Sequence, residues 1–158
     1  WLMIGLAGAL FAADIISYFE SALQKNLLLA FFIPGIVYLA DAVGTQTETV
    51  VVRGLSVGIP IHRILKLELV TGLLIGASLA LIAGPFILWR WGDAQVALAV
   101  GFAIFAASSV ATIVAMLFPW LLNRINVDPA FGSGPLATVV QDLLSIVLYF
   151  LIATLIIA

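Results

Sequence analysis

Four carboxylates stand in stretches of the chain that are otherwise apolar: Asp14, Asp41, Glu48 and Asp142. A charged side chain at the centre of a bilayer costs roughly 3 kcal/mol on insertion scales, so such residues ordinarily face a bundle interior or a wet cavity and mark function. Asp41 and Glu48 are seven apart, which puts them on one face of a helix about two turns from each other. The segment around them, 41–49 (DAVGTQTET), is polar in the middle of an apolar run, with Thr45 and Gln46 on or beside the same face. Pro34, Gly35 and Gly44 are expected to loosen that helix locally and bare backbone carbonyls. The donors on offer are therefore oxygens. There is no cysteine, and the single histidine, His62, falls in a basic link. Oxygen-only donor sets suit hard cations such as Mg²⁺ and Ca²⁺.

Asp142 follows Gln141 in the last apolar run, whose opening is Gly132-Ser133-Gly134-Pro135, a flexible start followed by a rigid first turn. Mg²⁺ gives up its waters reluctantly, so a path for it can recognise the hydrated ion by carboxylates and carbonyls placed around the water shell. One carboxylate does this poorly; two copies of Asp142 facing each other across a dimer axis would do it better. The alternative role for a membrane acid is a structural lock with a basic partner, but no Lys or Arg stands in the apolar centres of the runs. Asp14, near the start of the chain, fits either role. Glu20, Asp93 and Asp128 are expected at interfaces, where a solvated acid is ordinary.

The elements that must position these groups follow from hydropathy. The chain has 158 residues, 65% hydrophobic and 9% charged, against about half and a quarter in soluble domains. An all-α integral membrane fold is expected. Five runs are long enough to cross a bilayer as helices, at about 1–19, 27–52, 69–89, 94–118 and 135–158. Strict alternation, which a barrel needs, is missing. The links carry the charges. The 53–68 link, with Arg53, His62, Arg63, Lys66 and Glu68, reads as a short interfacial helix, and 90–93 as a tight turn. With five crossings, the links after the second and fourth runs share one side and hold Arg53, Arg63, Lys66 and Arg124, four of the six basic residues. The positive-inside rule places them in the cytoplasm, the N-terminus with them and the C-terminus outside. Trp89, Trp91 and Trp120 sit at run ends, where interfacial tryptophans belong. Gly72, Gly76, Ala80 and Gly84 on the third run, and Ala99, Ala103, Ala107, Ala111 and Ala115 on the fourth, recur every four residues and allow close helix packing. No internal repeat is visible, which argues against a self-contained inverted-repeat transporter. Six basic against eight acidic residues give no nucleic-acid footprint. The chain opens on Trp rather than Met and is expected to be processed or part of something longer; a signal peptide is not expected, because the apolar stretch runs on without a cleavage pattern.

These residues resemble the membrane domain of the MgtE family of magnesium channels. Phe19-Glu20-Ser21 looks like that family's segment after its first helix. Val43-Gly44-Thr45-Gln46-Thr47, running on to Val51-Val52-Arg53-Gly54-Leu55, resembles its second-helix signature, and Val127-Asp128-Pro129-Ala130 with Ser133-Gly134-Pro135-Leu136 resembles the start of its fifth helix. Asp142 falls where the family keeps its pore aspartate, and Tyr149-Phe150 falls in the segment beyond it. The resemblance implies a single MgtE-like transmembrane domain over 1–158, without the family's cytoplasmic regulatory and CBS domains in this stretch. It implies a homodimer in the cell membrane with a pore at the dimer interface, lined by the second and fifth helices. Asp142 would recognise hydrated Mg²⁺ there, helped by backbone oxygens near Ala42 and Thr138 and by the turn at Gly134, with Thr45 also lining the path. The chain departs from the family where Asp41-Ala42 replaces the usual Gly-Asn, where Glu48 replaces an apolar or neutral residue, and where Thr112 takes a position often held by Asn.

Three active readings remain open, with a purely structural membrane subunit as a fourth. The first is passage of divalent cations, Mg²⁺ before Mn²⁺ and others, recognised by Asp142. The second is a coupled divalent-cation transporter or exchanger that uses Asp41 and Glu48 as ion- or proton-binding carboxylates. The third is an intramembrane aspartyl protease using Asp41 and Asp142, but Asp142 stands in Val-Val-Gln-Asp rather than the Gly-x-Gly-Asp that such enzymes use. No enzymatic activity is expected.

Overall fold

The computed structural model describes residues 2–130 and 133–157, so Trp1, Gly132 and Ala158 of the expected elements lie outside the described residues. Among the described residues the chain is all helical: α1 (Leu2–Tyr18), α2 (Glu20–Lys25), α3 (Leu28–Ser56), α4 (Ile61–Trp91), α5 (Ala94–Arg124) and α6 (Ser133–Ile156). The last four are long and apolar enough to cross a membrane, and α1 is a shorter apolar helix. This is an all-α, multi-pass membrane fold. Each apolar run has become one helix, and most helices outlast their runs.

The longest overrun corrects the reading of 53–68. That link is no separate interfacial helix: α3 continues through Arg53 to Ser56, only 57–60 is non-helical, and α4 begins at Ile61. Nothing between Ile61 and Glu68 breaks a helix, whereas Gly58, at φ 76°, and Pro60 break the chain before it. Arg53 rides on the last turn of α3, and His62, Arg63, Lys66 and Glu68 on the first turns of α4. The expected loosening of the polar helix is also absent, since α3 stays helical through Pro34, Gly35 and Gly44. Pro34 removes one backbone bond, the one the Ala30 carbonyl would have accepted.

The turn at 90–93 forms as expected. Gly92 closes α4 in the left-handed region (φ 73°), its N–H donating to the Leu88 carbonyl at 2.9 Å. Asp93 then caps α5, one carboxylate oxygen accepting from the Val96 N–H at 3.0 Å. Its other oxygen accepts from the Asn26 side-chain amide N–H at 2.8 Å, and Asn26 Oδ1 accepts from the Leu28 N–H at 3.0 Å. The start of α3 and the α4–α5 turn are thus tied together at one end. At the other end Leu55, Gly58 and Ile61 share a hollow with Trp120, Asn123 and Arg124, so the two basic links do lie together.

α5 is the central helix and packs against α3, α4 and α6. Its alanine stripe is buried: Ala99, Ala103, Ala107 and Ala111 form one apolar core with Leu29, Ile36 and Ala40 of α3 and Tyr149 and Ala153 of α6. The α4 glycines meet another face of α5. A Cβ on Gly72 would lie 2.2 Å from Thr112 Oγ1, and one on Gly76 would lie 3.2 Å from the Phe105 carbonyl oxygen. Among the described residues α1 is peripheral and touches only α2 and α6. Phe19 stacks on Phe150 with ring centres 4.9 Å apart, and the buried Tyr149 hydroxyl donates to the Leu29 carbonyl at 2.8 Å.

Candidate functional site

The polar positions of α3 and α6 meet along one seam. Leu29 pairs with Tyr149, Asp41 with Thr138 and Glu48 with Ser133, so the two helices run antiparallel. Thr138 Oγ1 donates to the Asp41 carboxylate at 3.0 Å. Asp142 lies one turn further along the same face of α6, half-buried and within electrostatic reach of Asp41. Between the levels of Asp41 and Glu48, the Gln141 side chain lies against Gly44, where a Cβ would come within 2.1 Å of its amide oxygen. At the end nearer the basic links, the Ser133 hydroxyl approaches both Glu48 and the Pro129 carbonyl. Glu48 lines a hollow of about 480 Å³ with Arg53, Ser133, Gly134 and Pro135.

The seam therefore collects Asp41, Glu48 and Asp142, but not as one cluster. Among the described residues no group of three or more His, Cys, Asp or Glu side chains converges. Asp41 is bonded to Thr138, with Asp142 on the next turn of α6, while Glu48 stands apart with Ser133 and beside Gly134, whose Cβ position lies 3.6 Å from a Glu48 oxygen. Ala42 and Thr45 are exposed on α3. The groups gathered here are carboxylates, hydroxyls, an amide and the Pro129 carbonyl, a set of hard oxygen donors along the α3–α6 seam. Asp14 is exposed on α1 and stands outside the seam. His62 is an exposed side chain on the first turn of α4.

Glu68 is the acid that reading link by link misplaces. It is 9% exposed and sits inside α4 on the inward stripe of Ile64, Gly72 and Gly76. The signal was its four-residue spacing from Gly72 and Gly76; the neighbouring Lys66 and Arg63 hid it. Gln141 was also passed over, because an amide next to an aspartate carries no signature of its own.

The chain matches the family model of the MgtE divalent cation transporters over residues 33–152, from the first turns of α3 to the last of α6. It belongs to the MgtE family. MgtE relatives similar to it include the magnesium transporter MgtE of Bacillus subtilis, 39% identical over 98% of this chain, and that of Enterococcus faecalis, 32% identical over the same share. The magnesium transporter MgtE of Thermus thermophilus is 28% identical, again over 98% of the chain. The chain spans about a third of the length of each of these relatives (35%). MgtE proteins are transporters, not enzymes, which removes the aspartyl protease reading.

Proposed function

We propose that this chain is a membrane domain through which a divalent cation, Mg²⁺ first, crosses the cell membrane along the α3–α6 seam, with Asp142 recognising the hydrated ion. The observation that carries the reading is the Thr138–Asp41 hydrogen bond between two antiparallel membrane helices, with Asp142 one turn from Thr138 on α6. Curated relatives named as magnesium transporters support Mg²⁺ as the cargo. A hydrated divalent ion offers O–H donors outward, and carboxylates, backbone oxygens near Ala42 and Thr138 and the turn at Gly134 are acceptors for them. Ala42 and Thr45 are exposed beside Asp41 on the single subunit. A second copy facing this surface in a homodimer would cover them and bring two Asp142 carboxylates to one axis. α1, at 17 residues, reaches the lower limit for a crossing and serves as the fifth. The basic ends at Arg53, Arg63, Lys66 and Arg124 then face the cytoplasm, with the N-terminus.

Asp142→Asn in proteoliposomes tests this directly. Mg²⁺ uptake is expected to fall at least about tenfold, the equivalent of one charge-assisted contact, with the protein still eluting as a folded species. Parental flux through the folded variant sinks the proposal. A second reading, coupled transport, draws on Asp41 and Glu48, which are held inside the seam by Thr138 and Ser133 rather than left at the interfaces.

A further inference from the structure

Among the described residues two buried side-chain oxygens lack a hydrogen-bond partner, Ser108 Oγ and Gln141 Oε1. Ser108 is on the far side of the bundle, against Gly76 of α4. Gln141 is in the seam. It is 2% exposed, and its amide lies on Gly44: a Cβ there would stand 2.1 Å from Oε1, 2.6 Å from Cδ and 2.7 Å from Nε2. A side chain at position 44 would have to displace the amide. A buried carbonyl without a donor is destabilising, and a methionine would fill much the same volume without that cost. Packing alone therefore does not account for an amide here.

Its location does. Gly44 lies three residues past Asp41 and four before Glu48, and Gln141 immediately precedes Asp142. The free oxygen thus lies against α3 at Gly44, between the levels of Asp41 and Glu48. We propose that Gln141 is a specificity-determining residue of the ion path, its Oε1 accepting a hydrogen bond from the water shell of the cation at Asp142. This rests on the seam being the path. The oxygen is unpartnered because its donor arrives with the ion. A neutral carbonyl suits the task, since it adds an acceptor to Asp41 and Asp142 without adding a charge that would slow release. It also rewards an ion that keeps its waters, as Mg²⁺ does, over one that sheds them, as Ca²⁺ does more readily.

The test uses the full chain in proteoliposomes, with Mg²⁺ flux, the Mg²⁺/Ca²⁺ flux ratio and block by cobalt(III) hexaammine, whose fixed shell presents only N–H donors. Gln141→Met, which keeps the length and loses the acceptor, should weaken the block about tenfold, the effect of one hydrogen bond to a charged partner, and lower the Mg²⁺/Ca²⁺ ratio. Gln141→Glu, which keeps an acceptor, should hold the block at or above parental strength. Gly44→Ala should lose block with Gln141 still present, because its methyl displaces the amide. Parental block and ratio in Gln141→Met overturn the proposal; should that variant not fold, parental block in Gly44→Ala overturns it. Parental flux in Asp142→Asn would instead remove the path itself, whereas a dead Asp142→Asn beside an unaltered Gln141→Met removes only the role of Gln141.

Discussion

Each oxygen of the Asp93 carboxylate has its own donor: one holds the first turn of α5 through Val96, the other holds Asn26 and so the start of α3. Asp93→Ala should therefore cost about 1–3 kcal/mol, an N-cap and one further hydrogen bond together, seen as a lower melting temperature in detergent. Asp93→Asn, which keeps an acceptor for Val96, should cost less. Asp93 was legible as the acid of a tight turn, but its bond to Asn26, 67 residues away, was not. The same division runs through the site. Asp41, Glu48 and Asp142 stand out because a charge interrupts an apolar run, a signal local to each run. Their partners Thr138 and Ser133 are ordinary hydroxyl residues, and the contacts span 97 and 85 residues. No spacing rule reaches that far.

At the scale of the helix, hydropathy located every apolar helix but not its ends, and gave no sign of the short polar α2. Apolar character stops where the bilayer stops, whereas backbone hydrogen bonding goes on until a glycine, a proline or an unfavourable cap ends it. That is why α4 starts eight residues before the apolar run expected at 69 and takes Glu68 into the bundle. The small-residue stripes were legible as packing surfaces, but their partners were not: the α5 alanines meet α3 and α6, and the α4 glycines meet Thr112 and Phe105. Gly72→Ala places a methyl 2.2 Å from Thr112 Oγ1, and overpacking of this kind costs about 1–3 kcal/mol. Gly35→Ala, with nothing within 4 Å, should be neutral or slightly stabilising through its better helix propensity. Melting temperatures of the two variants, measured side by side, check the contrast.

Across the whole molecule, the arrangement turns on α5, which separates the α4 glycine contacts from the α3–α6 seam and packs against both sides. The fold class and the gathering of basic charge at one end were readable from composition and link order. A homodimer, expected from the family resemblance and from the gain of setting two Asp142 carboxylates across one axis, also belongs to this scale. Transport mode is also a property of this scale. If the seam conducts passively, Mg²⁺ in proteoliposomes should equilibrate and stay level when a pH or Na⁺ gradient is imposed. Accumulation against its own gradient would favour the coupled reading, with Asp41 and Glu48 as the carboxylates involved.

The antiparallel pairing of α3 with α6 has a consequence for biogenesis. Synthesis must run 97 residues past Asp41 before Thr138 exists, on the order of ten seconds at common elongation rates. Through that interval α3 has been made with its acids, while the hydroxyls that will receive them have not. Until then each acid of α3 that enters lipid does so at the roughly 3 kcal/mol insertion cost of an unpaired charge. α6, the later of the two helices to leave the ribosome, is then the one that seats the acids of α3, and a chain halted before it would leave them without the Thr138 and Ser133 hydroxyls.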